Sequence, residues 1–273
     1  MLGRTPSAVS MMLKQFEDHI GAPLFETARK SRLTPLGEMI LAEAHRELSH
    51  FDRTVSAIEG LSKAEQGHVR LAVTPSVAQA VMPPILRCYL RQHAGVSVEM
   101  IDTDSQSVCR ELTTERADIG IGSLPPMPGF ERNLAFTDAF GVVSPRDHPL
   151  TRSCRGLRWA DLAEHRFIAN GLCSHVTDEA FQPILDASQL MIRNTTSIFS
   201  LVRAGLGITL LPELSMLKGH DGLAFLPLAD STVRREVWVV TPPAYMLTPA
   251  ARALAQAIRQ VDYAALRPSL QKS

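Results

Sequence analysis

The chain has 273 residues, 45% hydrophobic and 21% charged, with 28 Lys plus Arg against 28 Asp plus Glu. That length suggests about two domains. The even charge balance excludes a global basic field, so any nucleic-acid contact must come from a local patch. No stretch approaches the roughly 20 apolar residues that span a bilayer. Residues 1–16 lack the cationic start and apolar core of a signal peptide. Four cysteines, Cys88, Cys109, Cys154 and Cys173, stand apart with no C-x-x-C pair. They read as reduced thiols, with a redox-sensing pair as the lesser reading. A cytoplasmic protein is expected.

The first helix signal is at Thr5-Pro6, an N-cap hydroxyl followed by a proline that needs no donor at the first helical position. Val9, Leu13, Phe16 and Ile20 recur at helical spacing, and Gly21 with Pro23 supplies the stop. Ser7, Ser10 and Lys14 lie on the opposite face. A short segment with three cations, Arg29, Lys30 and Arg32, then precedes a second start at Thr34-Pro35. A half-buried helix followed by a basic hairpin is what a winged helix-turn-helix presents to a DNA groove.

The string T-P-S-A-V-S…K-x-x-E-x-x-x-G-x-P-L-F-E…R-L-T-x-x-G resembles the LysR-type transcriptional regulators. The resemblance implies that residues 5–19 read the major groove and that the basic loop is the wing. Ser7 and Ser10 would then face base edges, Lys14, Arg29 and Arg32 would meet phosphates, and Thr5, Pro6 and Lys30 complete the DNA-binding set. In that family roughly twenty or more residues lie upstream, so the helix-turn-helix is expected to be incomplete here. Met11 and Met12 also stand where members often carry Arg and Gln, and the wing is about one residue short.

From Thr34, Leu41, Ala44, Leu48, Phe51, Val55 and Ile58 follow in steps of three and four, the seam of a helix that pairs with another copy of itself. The resemblance favours that pairing over packing within one chain, and makes Leu41, Leu48, Phe51, Val55 and Ile58 the dimerisation residues. The polar stretch 62–67 is the expected hinge.

Beyond it, strands alternate with helices, as in a parallel sheet covered by helices. Strands are predicted at 68–74, 96–101, 118–121 and 136–144, with helices from Pro75 and over 106–115. The turn 145–150, with two prolines, marks the crossing into a second lobe. There the predicted strands are 166–169, 190–193 and 236–241, with a turn and buried strand over 205–212, and the helices are 157–162, 178–187 and 196–204. Pro242-Pro243 marks the return, and a closing helix over 248–261 should pack on the first lobe. The order of A-D-I-G-I-G, D-H-P-L and R-A-G-L-G-I-T-L-L-P is similar to the LysR effector domain, and the resemblance covers residues 1 to about 261.

The fold class is therefore mostly α/β: a two-lobed, periplasmic-binding-protein-like effector domain preceded by an all-α, incomplete winged helix-turn-helix and a long linker helix. The expected domains are 1–34, 35–66 and 67–264, with lobe 1 at about 67–143 and 244–264 and lobe 2 at about 144–243. In such clamps a small ligand sits near strand ends and helix N-termini, which favour anions. Thr74, Pro75 and Ser76 open one such helix, and Thr195 and Thr196 open its counterpart. The same hydroxyls also serve as plain N-caps. The resemblance adds Gly122 and Asn170; Phe199 is either a pocket wall or core, and His175 meets the ligand if its loop overhangs the cleft.

Enzyme signatures are lacking. Gly120-Ile121-Gly122 has no third glycine, no phosphate loop or nucleophile elbow occurs, and no histidines have metal-ligand spacing. No catalytic residue, metal or cofactor is called for. The sequence reads as a DNA-binding regulator, a homodimer or tetramer on a palindromic site, answering to a small and possibly anionic effector without any membrane partner. The alternative is a truncated sensor that dimerises but no longer holds DNA by itself.

Overall fold

The computed structural model describes residues 5–26, 29–60, 66–153, 155–216 and 220–263. Side chains at 6, 29–31, 49, 53, 56–60 and 66 lie outside that description, as do residues 61–65 of the expected hinge and Cys154. Of the expected site residues, this sets aside the side chains of Pro6, Arg29, Lys30 and Ile58.

Helix α1 (Pro6–Ile20) starts after an extended Thr5 and ends at Gly21, whose φ of 79° suits a residue without Cβ. The Thr5 hydroxyl does not take a first-turn amide; it bonds Ser7 Oγ at 3.1 Å instead. Glu17 Oε1 accepts from the amides of Leu24 (2.7 Å) and Phe25 (3.3 Å), turning the chain back beneath its own helix. This is the physical content of the spacing E-x-x-x-G-x-P-L-F. Strands β1 (Phe25–Glu26) and β2 (Arg29–Leu33) form an antiparallel hairpin. Thr34 Oγ1 donates to Pro23 O and accepts from Gly37 N, so one hydroxyl closes the hairpin and caps α2 (Pro35–Gly60). At 26 residues α2 is roughly 40 Å long. Leu41, Leu48 and Phe51 are exposed along it, while Val55 is half-buried.

Next come β3 (Gln66–Val73), α3 (Pro75–Ala80), α4 (Met82–Gln92), β4 (Gly95–Asp102), α5 (Ser105–Thr113) and β5 (Ile119–Gly122). Strands β4, β3 and β5 are parallel neighbours. One helix is expected after Pro75, but the structure breaks it at Val81. Pro83 and Pro84 have no N–H for the bonds that would carry the helix across. Asp118 of the A-D-I-G-I-G string accepts from Arg70 N at 2.8 Å and pairs with the Arg70 guanidinium at 3.3 Å. It thereby locks β5 beside β3.

The long β6 (Glu131–Pro145) leads into lobe 2, with α6 (Trp159–Leu162), β7 (Ile168–Ala169), α7 (Gln182–Asp186), β8 (Leu190–Met191), α8 (Thr195–Arg203), β9 (Thr209–Pro212) and β10 (Leu223–Pro227). Strand β11 (Arg234–Thr241) returns, and α9 (Pro249–Arg259) closes lobe 1. Strand β10 carries an unbroken apolar run, Leu223–Leu226, whose lack of alternation hid it in the sequence.

The hand-over between lobes differs from the expected one. Residues 131–139 of β6 pair with β11 in lobe 1, and 140–145 pair with β9 and β10 in lobe 2. The crossing therefore lies inside β6 near Ala139, not at the 145–150 turn, and the return lies just before Arg234, not at Pro242-Pro243. A 15-residue strand is long enough to serve two sheets, so no turn is needed there. Both crossing strands run antiparallel to their neighbours, making the sheet mixed where a purely parallel one is expected.

Each lobe has its own core. In lobe 1, α4 and α9 cover one sheet face, with Val69, Leu71, Tyr89, Leu254 and Ile258 buried together. α5 covers the other face through Val108 and Leu112. In lobe 2, Phe181 is fully buried between Trp159 and Phe167, at ring separations of 4.9 and 5.5 Å. No helix among the described residues is long and apolar enough to cross a membrane.

Candidate functional site

A cavity of about 620 Å³ opens between the lobes, where the two crossing strands meet. Its lobe 1 wall includes Thr74, Pro75, Ser76, Asp104, Ser105 and Ser123; lobe 2 supplies Asn170, Gly171, His175, Arg193, Thr195 and Ile198. Arg235 of β11 lines it as well.

Thr74 precedes α3 in an extended conformation without capping it, and its buried Oγ1 has no hydrogen-bond partner. The hydroxyls of Ser105 and Ser123 are buried and unpartnered too. An unsatisfied buried hydroxyl costs roughly 1–3 kcal/mol, so a polar group that reached any of the three would recover that cost. Ser76 Oγ is used differently: it accepts from Arg235 Nη2 at 2.7 Å.

Arg235 is 2% exposed and stands opposite Asp138 in the β6–β11 register. Its Nη2 donates to Asp138 Oδ2 at 3.0 Å, while Nε is buried without a partner. Burial pulls the guanidinium pKa down, and Asp138 opposes that by pairing with it. Asp138 also accepts from Leu214 N in the turn after β9 (3.3 Å), so the pair joins the two lobes at their pivot.

The other expected effector residues divide. Thr195 lines the cavity in the first turn of α8; Thr196 is exposed beside it and outside the lining. The cap of α8 is Asn194, whose side chain accepts from Ser197 N at 3.0 Å. Asn170 reaches the cavity but is fully engaged, donating to Thr209 Oγ1 and Leu210 O and accepting from Leu172 N. Gly122 lies behind the wall, where a Cβ would meet Thr74 Cγ2 at 2.7 Å, so its lack of a side chain seats Thr74. Phe199 is not a pocket wall: it is 4% exposed in the lobe 2 core and stacks on His220 at 3.9 Å. Ile198, buried in the same core, is the apolar residue of α8 that also borders the cavity.

Sequence reasoning missed Arg235, Asp138, Ser105, Ser123 and Arg193. Period-two alternation would have found the first, because Arg235, Val237 and Val239 share the buried side of β11. Cys109 and Cys173 both line the cavity, and burial raises both thiols, Cys173 to about 11. Protonated thiols are poor nucleophiles, which speaks against a redox pair.

On the N-terminal face, Thr5, Ser7, Ser10 and Lys14 are exposed, the last three at steps of three and four along α1. Arg32 is exposed and 3.7 Å from Glu26; such a surface pair contributes little and leaves the cation available. Leu13, Phe16 and Ile20 are 39–43% exposed.

Three histidines in lobe 2 have lowered pKa values, each first through burial. His148 is held down further by His165 against Asp147, His175 by Arg235, and His220 by Arg203. As pH falls through the ordinary value of 6.5, the unfolded chain takes up these protons before the folded one, so stability declines with acid. The melting temperature should therefore drop between pH 7.5 and 5.5, and His175→Gln should flatten that drop. A melting curve independent of pH over this range would contradict the assignment.

Two covalently continuous lobes around a cavity, preceded by a helix, a basic hairpin and a long linker helix, define a ligand-responsive DNA-binding protein. The chain matches the LysR substrate binding domain over residues 62–262 and the bacterial regulatory helix-turn-helix of the lysR family over residues 1–38. It belongs to the LysR family of transcriptional regulators, which bind DNA operators and small-molecule effectors and form oligomers. A probable HTH-type transcriptional regulator, LrrA of Synechococcus elongatus, is 33% identical over 221 residues, 78% of this chain and 74% of that protein. Full-length CbnR complexed with its target DNA superposes with a TM-score of 0.69 at 16% identity, covering 95% of this chain and 91% of that one. The BenM effector binding domain with its effector benzoate gives 0.59 at 20%, covering 76% of this chain and 97% of that one.

Proposed function

We propose that this regulator reads a palindromic site with Thr5, Pro6, Ser7 and Ser10, and that Lys14, Arg29, Lys30 and Arg32 engage phosphates. It acts in the cytoplasm, as a homodimer or tetramer joined through Leu41, Leu48, Phe51, Val55 and Ile58, and carries out no catalysis. The working units are the residues 1–34 reader, the 35–66 linker and the 67–264 effector domain. A small anion enters between the lobes and contacts Thr74, Ser76 and Thr195, with Pro75, Gly122, Asn170 and Thr196 shaping the two helix openings.

The observation that carries this reading is the row of unpartnered hydroxyls beside buried Arg235, in a cavity whose walls belong to separately packed lobes. A ligand touching both walls favours the closed arrangement by its differential contacts, typically about 1–3 kcal/mol of coupling. DNA is tested directly by measuring binding of the purified chain to random duplex against salt. Each phosphate neutralised should contribute about −0.9 to the log–log slope, and Lys14→Ala should lower its magnitude by about one for every sequence alike. An unchanged slope, or altered preference at one base, would remove Lys14 from the phosphate contacts. Effector binding without any DNA binding would favour the sensor reading, with which the partly exposed apolar face of α1 is also consistent.

A further inference from the structure

The charges around the cavity are lopsided. Among the described lining residues Asp104 is the one acid, against the cations Arg193 and Arg235, and its carboxylate caps α5 by accepting from Ser107 N at 2.9 Å. Arg235 is the lobe 1 cation, buried beside the cavity and paired with Asp138 through Nη2, with Nε left without a hydrogen-bond partner. Arg193 is the lobe 2 cation. It is exposed, precedes the Asn194 cap of α8, and has no ion pair among the described residues. His175, also on the lobe 2 side, is kept uncharged by burial and by the nearby Arg235. Two cationic anchors thus face one cavity from opposite lobes, with apolar Pro125, Leu172, Met191 and Ile198 among the residues around it.

From this we infer that the effector is a dianion with a charge at each end, of the short dicarboxylate class. One carboxylate takes Arg235 Nε together with the orphaned hydroxyls of Thr74 and Ser123; the other takes Arg193 and the N-terminal end of α8. The inference rests on the reading of the cavity as the effector site and adds what selects the ligand. A monoanion satisfies one lobe and has little reason to prefer the closed state. A dianion gains its second charge-assisted contact only when the lobes approach, which is the differential affinity that coupling requires.

The test is calorimetric titration of the full chain with succinate, glutarate, adipate and fumarate, each beside its own monoamide. At least one diacid should bind, with its monoamide at least tenfold weaker. Arg193→Ala should weaken that diacid at least tenfold and leave the monoamide unchanged; the residue is exposed, so folding is not at issue. Equal binding of diacid and monoamide, indifference to Arg193→Ala, or no binding by any diacid overturns the inference. Gly171→Phe separates the two levels of the claim. Gly171 lines the cavity and a Cβ there meets nothing within 4 Å, so the ring can occupy ligand space without disturbing the backbone. A monoamide that binds and is excluded by Gly171→Phe ends the two-charge inference and leaves the cleft reading standing. A diacid indifferent to Gly171→Phe binds elsewhere, and both readings fall.

Discussion

Asp138→Ala should lower stability by about 3–5 kcal/mol, the usual cost of leaving a buried charge without its partner. In a domain of this size that is a fall in melting temperature of roughly 10 °C. Arg235 would keep its bond to Ser76 Oγ but lose its counterion in a place where water cannot replace it. Leu214 N would also lose its acceptor. Removing both charges as Asp138→Leu with Arg235→Met should recover most of the loss, because two apolar side chains owe nothing to desolvation. A deficit of about 1 kcal/mol should remain for the orphaned Leu214 amide. A single variant costing under about 1 kcal/mol, or a double variant no better than the single, would mean that the pair is solvated and does not pin the lobes together. Because Arg235 also lines the cavity, the same double variant should lose effector response while still folding.

Gly37→Ala is expected to weaken DNA binding more than tenfold while leaving the effector domain's melting transition where it was. A Cβ at Gly37 would overlap the Leu24 carbonyl oxygen, which already accepts from Thr34 N at 2.9 Å. Alanine improves helix propensity by about 1 kcal/mol. The clash is with backbone, however, and overpacking of this kind typically costs about 1–3 kcal/mol. The linker helix must therefore back away from Leu24, which Glu17 holds beneath α1, and the hairpin loses its seat. Since the offending atom is the Cβ itself, Gly37→Val should add little to the alanine effect. If Gly37→Ala binds DNA as the parent does, the contact between α2 and the hairpin turn does not orient the basic segment.

The local signals explain which parts of this architecture were legible. Gly21, Pro23, Thr34 and Gly37 announce turns and caps because their requirements are met within a few residues, and the apolar steps of α2 announce a long helix with one exposed row. The alternation of strands and helices likewise identifies two α/β lobes, and the segment order carries the family. The helix expected over 196–204 begins one residue earlier, at Thr195, and its cap is Asn194 and not a threonine.

What the sequence could not assign were relations between residues far apart in the chain. Arg235 and Asp138 are separated by 97 positions, and Arg235 and Ser76 by 159; the pairing of β6 with β11 brings the first two together, and the β3–β5–β11 order of the sheet brings Ser76 of α3 to them. The transfer point inside β6 is equally invisible, since one extended strand reads the same whether it serves one sheet or two. Phe199 and Ile198 are adjacent apolar residues buried in the same lobe 2 core, and only the packing of α8 decides that Ile198 also borders the cavity. Sequence determined the family, the order of elements and the helix openings, because short-range sterics and hydrogen bonding set those. Tertiary structure decided where charge is buried and which hydroxyls are left without partners. Those depend on desolvation at a junction that exists only once both strands have crossed.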